Sequence, residues 1–301
     1  IAARLRRNDY FQSQAYSLAE QARRHGFAKD DRVAAWIKDN KAVEERKDFF
    51  GNTYTSPRYD RVPLELMEEY GCMDARVTYD LFKIYIDAFD PEDRRVLSNE
   101  ARLTHTCFKM ERCGLKLNVE YTLKARAEEQ ARLTAARLTY KDTTGKDYVN
   151  SAKSIAPHLD GYQLPLTEAG NPSLDDDALE GVIHNGSPKA KAVAQAVQQI
   201  RKYEKRIGTY YENYLKMMDR SQIVHPTTWQ AGTRPGRFSY SEPNLQNIPK
   251  KESLEDFAIR GCFMPRPGHV FVSMDYSQME YRMMAAYANE AEIIRQVMSG
   301  V

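Results

Sequence analysis

Residues 269–287 read HVFVSMDYSQMEYRMMAAY, and two periodicities meet within them. From His269 to Met274, Val270, Val272 and Met274 alternate with Phe271 and Ser273, which predicts a strand. From about Gln278, Met279, Met283, Ala286 and Tyr287 recur at helical spacing, which predicts a helix with that side buried. Asp275 sits at the join, where regular structure on both sides can hold a carboxylate rigidly while it faces solvent. Such a group suits Mg²⁺, a hard cation that takes oxygen ligands and keeps several waters. Taken alone, an Asp at such a position is read first as a cap for the helix that follows.

Upstream of this stretch the texture is helical. Val96, Leu103, Cys107 and Met110 mark a helix over 92–113 ending at Gly114, a suitable residue after a helix C-terminus. Asn118 is placed to cap the next helix, which runs through Leu123, Ala127 and Leu138 to about Tyr140. Residues 141–171 are rich in glycine and proline and read as loop. Ser173 and Asp176 resemble a weak capping box, and the Asp175–Asp177 run reads as a solvated helix start rather than a metal site. A second long helix, about Pro188 to Met218, carries Val193, Val197, Ile200, Ile207, Tyr211, Tyr214 and Met218. The two long helices suggest an antiparallel hairpin. Residues 223–228 look extended, and 231–251 are irregular. In the first ninety residues short helices alternate with polar joints: Ala15, Leu18, Ala19 and Ala22 share one helical face, Val33, Trp36 and Ile37 another, and 51–63 is turn-rich. A helix over 64–89 with Asp74, Val77, Thr78 and Leu81 on one face ends at Asp90-Pro91. The whole predicts an α+β, mostly helical chain.

Composition narrows the function classes. The 301 residues are 42% hydrophobic and 29% charged, enough apolar matter for real cores, so a disordered chain is disfavoured. Lys plus Arg number 44 against 42 Asp plus Glu, so any polyanion-binding surface must be local. The four cysteines include no C-x-x-C pair, which disfavours a disulfide scaffold or structural zinc and fits a reducing, cytoplasmic compartment. No apolar run suggests a membrane span, and the basic start Ile1 to Arg7 lacks an apolar core behind it. A start at Ile1, inside a helical pattern, hints at a piece of a longer protein.

The run Asp275-Tyr276-Ser277-Gln278-Met279-Glu280-Tyr281-Arg282 resembles motif A of the family A DNA polymerases, the relatives of bacterial DNA polymerase I, with the pattern D-Y-S-Q-x-E-x-R. Gly236-Arg237-Phe238-Ser239 and Ser241-Glu242-Pro243-Asn244-Leu245-Gln246-Asn247-Ile248-Pro249 resemble that family's G-R-[LF]-S and S-x-P-N-L-Q-N-I-P signature. The resemblance implies that Asp275 and the carbonyl of Tyr276 hold Mg²⁺ in a two-metal site. It implies that Glu280 acts as a steric gate against the ribose 2′-hydroxyl, with Ser277 and Gln278 beside it in nucleotide selection. Arg237, Asn244, Gln246 and Asn247 are expected to contact primer-template DNA through minor-groove acceptors, which every Watson–Crick pair presents at similar positions. Pro235 departs from the usual Thr before Gly-Arg, and Gly232-Thr233-Arg234 looks shifted.

Arg201, Lys205, Thr209 and Tyr210 match the family's thumb spacing R-x-x-x-K-x-x-x-T-Y, with the first three placed to touch phosphates, and Asn150 and Ser151 resemble the thumb tip. Tyr70 and Asp74 resemble the Y-x-x-x-D motif of a proofreading exonuclease, in which the aspartate binds metal. The implied partition is the second half of a ribonuclease-H-like 3′-5′ exonuclease domain over 1–90, a palm-base helix and helical thumb hairpin over 91–222, and the first part of a palm with an antiparallel sheet over 223–301. The other exonuclease acids and the fingers and later palm motifs do not occur in the sequence. The segment is therefore expected to be inactive alone, with deoxynucleoside triphosphates and primer-template DNA as partners and a fingers-containing portion, possibly a separate chain, as complement. The expected setting is a bacterial cell or phage-infected host. One half of a split polymerase, a noncatalytic DNA-binding remnant and a stand-alone nuclease are the alternatives.

Overall fold

The computed structural model describes residues 16–299 apart from 29, 48, 234 and 250–256. The basic start, Ala15 and the last residues of the irregular stretch lie outside them. The elements in order are α1 (Leu18–Arg24), α2 (Arg32–Asp39), β1 (Val43–Lys47), β2 (Thr53–Pro57), α3 (Leu64–Ala88), α4 (Pro91–Cys113), β3 (Leu115–Leu117), α5 (Val119–Thr144), α6 (Ala152–Ile155), α7 (Asp176–Asn185) and α8 (Pro188–Lys205). A π-helix (Arg206–Glu212) continues α8 directly into α9 (Asn213–Met217), and β4 (Ile223–Val224), β5 (Thr227–Trp229), β6 (Ser239–Ser241), β7 (Phe263–Met264), α10 (Met279–Ala288) and α11 (Ala291–Ser299) follow. The chain is thus mostly helical with small antiparallel sheets. It divides into two compact units, one through Met264 and one from Pro265.

In the first unit, α5 and the α8–π–α9 rod lie antiparallel. Arg126 meets Glu212 at 2.7 Å, and Arg137 meets Glu204 at 2.7 Å, so advancing along one helix retreats along the other. Between them Leu133, Tyr140, Val193, Val197, Ile200, Tyr211 and Tyr214 are buried in one core. The face of α5 that enters this core is Thr122, Ala125, Glu129, Leu133, Ala136 and Tyr140, while Leu123 and Leu138 stay exposed. The apolar count along α5 therefore misplaces its inner face, because a glutamate takes a core position there.

The ends of these helices follow capping chemistry. Asn118 accepts from the Tyr121 amide at 3.1 Å, as its side chain predicts. Helix α7 is capped by Asp175, which accepts from the Ala178 amide at 2.8 Å, rather than by Ser173, whose hydroxyl donates to Asp175. That amide bond lowers the Asp175 pKa. Gly114 ends α4 at φ +56°, and a Cβ there would lie 2.6 Å from the Val224 carbonyl oxygen, so glycine permits β3 to pair with β4. β3 is the middle strand of an antiparallel sheet in the order β4-β3-β7.

Two stretches differ from expectation in the first unit. The 43–57 region forms a β-hairpin pairing Val43 with Pro57 and Lys47 with Thr53, where the sequence reads as a polar joint and turn. Its charged β1 lies mostly in solvent, so no apolar alternation marks it. The 141–171 stretch is less irregular than its composition suggests, since α5 runs to Thr144 and Ser151 caps α6 by accepting from the Ser154 amide at 3.2 Å.

The second unit departs further. Residues 269–274 form no strand: no ladder bonds occur there among the described residues, and Val270, Val272 and Met274 are 79%, 73% and 90% exposed. An alternating pattern needs a neighbouring strand to become a sheet. Helix α10 forms where expected, but Met279, Met283, Ala286 and Tyr287 are exposed and Ala285 is its buried residue.

Candidate functional site

The Gly-Arg and Asn-Gln signature folds as one irregular loop fastened to α4 and the π-helix. Gly232, Thr233 and Arg237 are tied together: the Gly232 amide donates to the Arg237 carbonyl at 2.9 Å, and the Arg237 amide donates to Thr233 Oγ1 at 2.9 Å. Gly236 takes φ +85°, which Cβ-bearing residues rarely adopt. Thr233 thus ties the turn despite the proline at 235. Beyond it β6 pairs with β5, and the Trp229 indole donates to Ser241 Oγ at 2.8 Å. β5 is in turn anchored on α4, where the Gln230 amide group donates to the Glu100 carbonyl at 2.6 Å and the Thr228 amide donates to Glu111 Oε1 at 2.5 Å.

Asn244 then starts a 3-10 turn over Leu245–Asn247 by accepting from the Gln246 amide at 3.1 Å, and Gln246 Nε2 donates to the Phe238 carbonyl at 3.2 Å. Arg237, Asn244, Gln246 and Asn247 are exposed and presented by this one loop. Behind it lies a cavity of about 430 Å³ walled by Met110, Cys113, Leu115, Thr228, Tyr240 and Gln246 among others. The Thr228 hydroxyl is buried and finds no hydrogen-bond partner among the described residues.

The helix pair supplies the second group. Arg201 does not project alone: its Nη2 donates to Asn150 Oδ1 at 2.9 Å, and its Nη1 donates to the Leu174 carbonyl. Arg201 and Asn150 are therefore brought together, and the guanidinium also braces the 150 and 174 loops. Lys205, Thr209, Asn150 and Ser151 are exposed, with the Ser151 side chain engaged as the α6 cap. Tyr210 is buried and donates from its hydroxyl to the Asn247 carbonyl at 2.9 Å, joining helix and signature loop.

One cluster escapes the sequence reading altogether. Glu129 and Arg206 form an ion pair with Nε–Oε1 at 2.7 Å and side chains 0% and 7% exposed. Arg206 also donates to the Phe257 carbonyl and, at 3.1 Å, to the Tyr211 hydroxyl, which lies 3.1 Å from Glu129 Oε1. Burial pushes the Tyr211 pKa well above the ordinary tyrosine value. The available signal was Glu129 sharing a helical face with Ala125, Leu133 and Ala136.

In α3, Tyr70 and Asp74 stand one turn apart and are hydrogen-bonded. That bond is the main reason the Tyr70 pKa is raised. Among the described residues no group of three or more His, Cys, Asp or Glu is placed to hold a metal ion. In the second unit Asp275, Tyr276, Ser277, Gln278 and Glu280 are exposed, and the Arg282 guanidinium donates to the Ser277 carbonyl at 2.8 Å, fixing the turn that leads into α10. Asp275 and the Tyr276 carbonyl can supply part of an open oxygen site of the kind Mg²⁺ takes when water and phosphate complete its shell, with no closed protein cage.

Comparison with known proteins places this geometry. A family model of DNA polymerase family A matches residues 119–300. DNA polymerase DpoZ of Acinetobacter phage SH-Ab 15497 is 28% identical over 290 residues, covering 85% of this chain and 45% of the relative. DNA polymerase I of Caldicellulosiruptor bescii is 30% identical over 201 residues, covering 65% of this chain and 23% of that protein. In fold the chain is similar to the POL domain of Pol1 from M. smegmatis, solved in complex with DNA primer-template and dNTP. The TM-score is 0.58 at 23% identity, covering 71% of this chain and 38% of that one. The chain thus spans less than half the length of these relatives. The family match extends over more than half of the chain and takes in both the signature loop and Asp275–Arg282, so this chain belongs to DNA polymerase family A.

Proposed function

We propose that the chain is the template-binding and metal-binding part of a DNA-directed DNA polymerase that adds deoxynucleotides to a primer 3′-hydroxyl. The observation that supports this most is the order of two long motifs, 236–249 and 275–282, inside the residues matched by the family model. In this reading Arg237, Asn244, Gln246 and Asn247 donate to minor-groove acceptors of the primer-template duplex, which their exposure on one loop suits. Lys205 and Thr209 lie beside phosphates, and Arg201 with Asn150 and Ser151 shapes the tip of the helix pair. Asp275 and the Tyr276 carbonyl would hold Mg²⁺, which when bound supplies charge stabilisation during phosphoryl transfer. Glu280, with Ser277 and Gln278 before it, limits the space for a ribose 2′-hydroxyl.

The partition that goes with it is exonuclease-type over 1–90, palm-base helix and thumb over 91–222, and palm over 223–301. Tyr70 and Asp74 mark proofreading ancestry: the hydroxyl–carboxylate bond within one helical turn is the pairing that such a site uses to orient a water. Among the described residues no helix is long and apolar enough to cross a membrane, and the proposed setting is the cytoplasm of a bacterium or a phage-infected host.

The 301 residues alone neither extend a primer nor proofread, because a single carboxylate of each metal pair is present. The test is to offer the purified chain a fluorescent primer-template with Mg²⁺ and all four deoxynucleoside triphosphates. Duplex binding without extension is expected. Extension would overturn the proposed inactivity, and failure to bind any primer-template would overturn the DNA reading.

A further inference from the structure

We infer that Tyr210 is a positioning residue that sets the minor-groove loop, and that Arg206 and Tyr211 hold the other end of the same chain segment. This rests on the duplex-contact reading above and adds the device that fixes the loop's geometry. Over Arg206–Glu212 the backbone widens to a π-helix, an uncommon form found often at functional sites. It leaves Arg206, Ile207, Tyr210 and Tyr211 all buried, with two adjacent tyrosine rings turned inward together. Their hydroxyls reach two different strips of chain. Tyr210 donates to the Asn247 carbonyl at 2.9 Å, whereas Tyr211 and the Arg206 guanidinium converge on the Phe257 carbonyl, the former at 3.3 Å.

One π-turn therefore holds two backbone carbonyls, that of Asn247 within the signature loop and that of Phe257. Stability alone is a poor reason for this arrangement. A buried ion pair such as Glu129–Arg206 is often no better than well-packed apolar residues of the same volume. What the polar groups add is direction: a hydroxyl and a guanidinium donate to a carbonyl only within a narrow range of positions, where apolar packing tolerates sliding. Asn244 and Gln246 are internally tied to Gln246 N and the Phe238 carbonyl, so the loop moves as a piece, and the Asn247 carbonyl is where the helix holds it.

The consequence is specific. Minor-groove donors verify base-pair shape only while they stand at fixed distances from the acceptors, so freeing Asn247 should blur discrimination between a matched and a mismatched primer terminus. Phosphate contacts, which set the salt dependence, should be unaffected. The experiment measures binding of the full 301-residue chain to matched and terminally mismatched primer-templates by fluorescence anisotropy at several salt concentrations, for wild type and Tyr210→Phe. Wild type is expected to prefer the matched terminus by several-fold. Tyr210→Phe is expected to bind both within about twofold, with the same salt slope.

Equal discrimination by Tyr210→Phe and wild type would overturn the inference while leaving the duplex-contact reading standing. Absence of any matched preference in wild type would overturn that reading and the inference with it. Should Tyr210→Phe fail to fold, the triple variant Glu129→Leu, Arg206→Met and Tyr211→Phe, which removes both donors to the Phe257 carbonyl and leaves an apolar core, decides. Its loss of discrimination supports the inference, and retention refutes it.

Discussion

Glu129 offers the sharpest test of how the helix pair is held. The Glu129→Leu substitution keeps the side chain's approximate size and suits its neighbours Ala125, Leu133 and Ala136 on the inner face of α5. It strands Arg206, whose side chain is 7% exposed and whose Nε lies 2.7 and 2.8 Å from the two carboxylate oxygens. Breaking a buried pair from one side costs about 3–5 kcal/mol, because the remaining charge stays out of water. For a unit of this size that corresponds to a fall of roughly 6–20 °C in the unfolding midpoint. Replacing the whole polar set with Glu129→Leu, Arg206→Met and Tyr211→Phe removes the stranded charge and should return stability to within about 2 kcal/mol of wild type. Urea and thermal unfolding followed by far-ultraviolet circular dichroism measure all the variants. A cost below about 1 kcal/mol for Glu129→Leu, or a triple variant as unstable as the single one, would show that no buried charge is stranded there.

Two further outcomes follow from the same core and its neighbour. Tyr211 keeps its proton in the folded chain at pH values where the unfolded chain loses it. Its contribution is therefore full below pH 10 and declines as pH rises beyond, so Tyr211→Phe should flatten the alkaline limb of urea midpoint against pH, and an unchanged limb would count against it. The buried Thr228 hydroxyl has no partner among the described residues, so the near-isosteric Thr228→Val should raise stability by about 1 kcal/mol, while a loss of that size would point to a bonded partner there.

Much of the fold is legible in local chemistry. Gly114, Asn118 and the Val193–Tyr214 stripe mark helix ends and a buried face that the structure reproduces, because capping and helical period act over a few residues. The same holds for the tight loop around Gly236 and Asn244, whose turn residues carry their own geometry. What could not be read depends on partners distant in sequence. Glu129 looks like a solvated glutamate until Arg206 is placed opposite it. A π-turn has no composition of its own, and Tyr210 gains its task from a carbonyl thirty-seven residues away. Val43–Lys47 pairs as a strand with almost no apolar content, and the alternation at 269–274 forms no strand, since pattern alone supplies no neighbour.

For the candidate site, motifs placed Arg237, Asn244, Gln246 and Asn247 on one loop, but the bond from Arg201 to Asn150 required coordinates. That bond changes the expected picture of a basic stripe, because part of the stripe is occupied in bracing loops.

Asp275 is the proposed metal ligand for nucleotidyl transfer in a family A polymerase. Joining residues 1–301 to the complementary C-terminal portion of the Acinetobacter phage relative allows Mg²⁺-dependent primer extension to be measured with and without Asp275→Asn. Extension by the joined protein and a loss of at least about a hundredfold in the variant are predicted. Extension that survives Asp275→Asn within about threefold would show that the carboxylate of Asp275 does not serve the transfer.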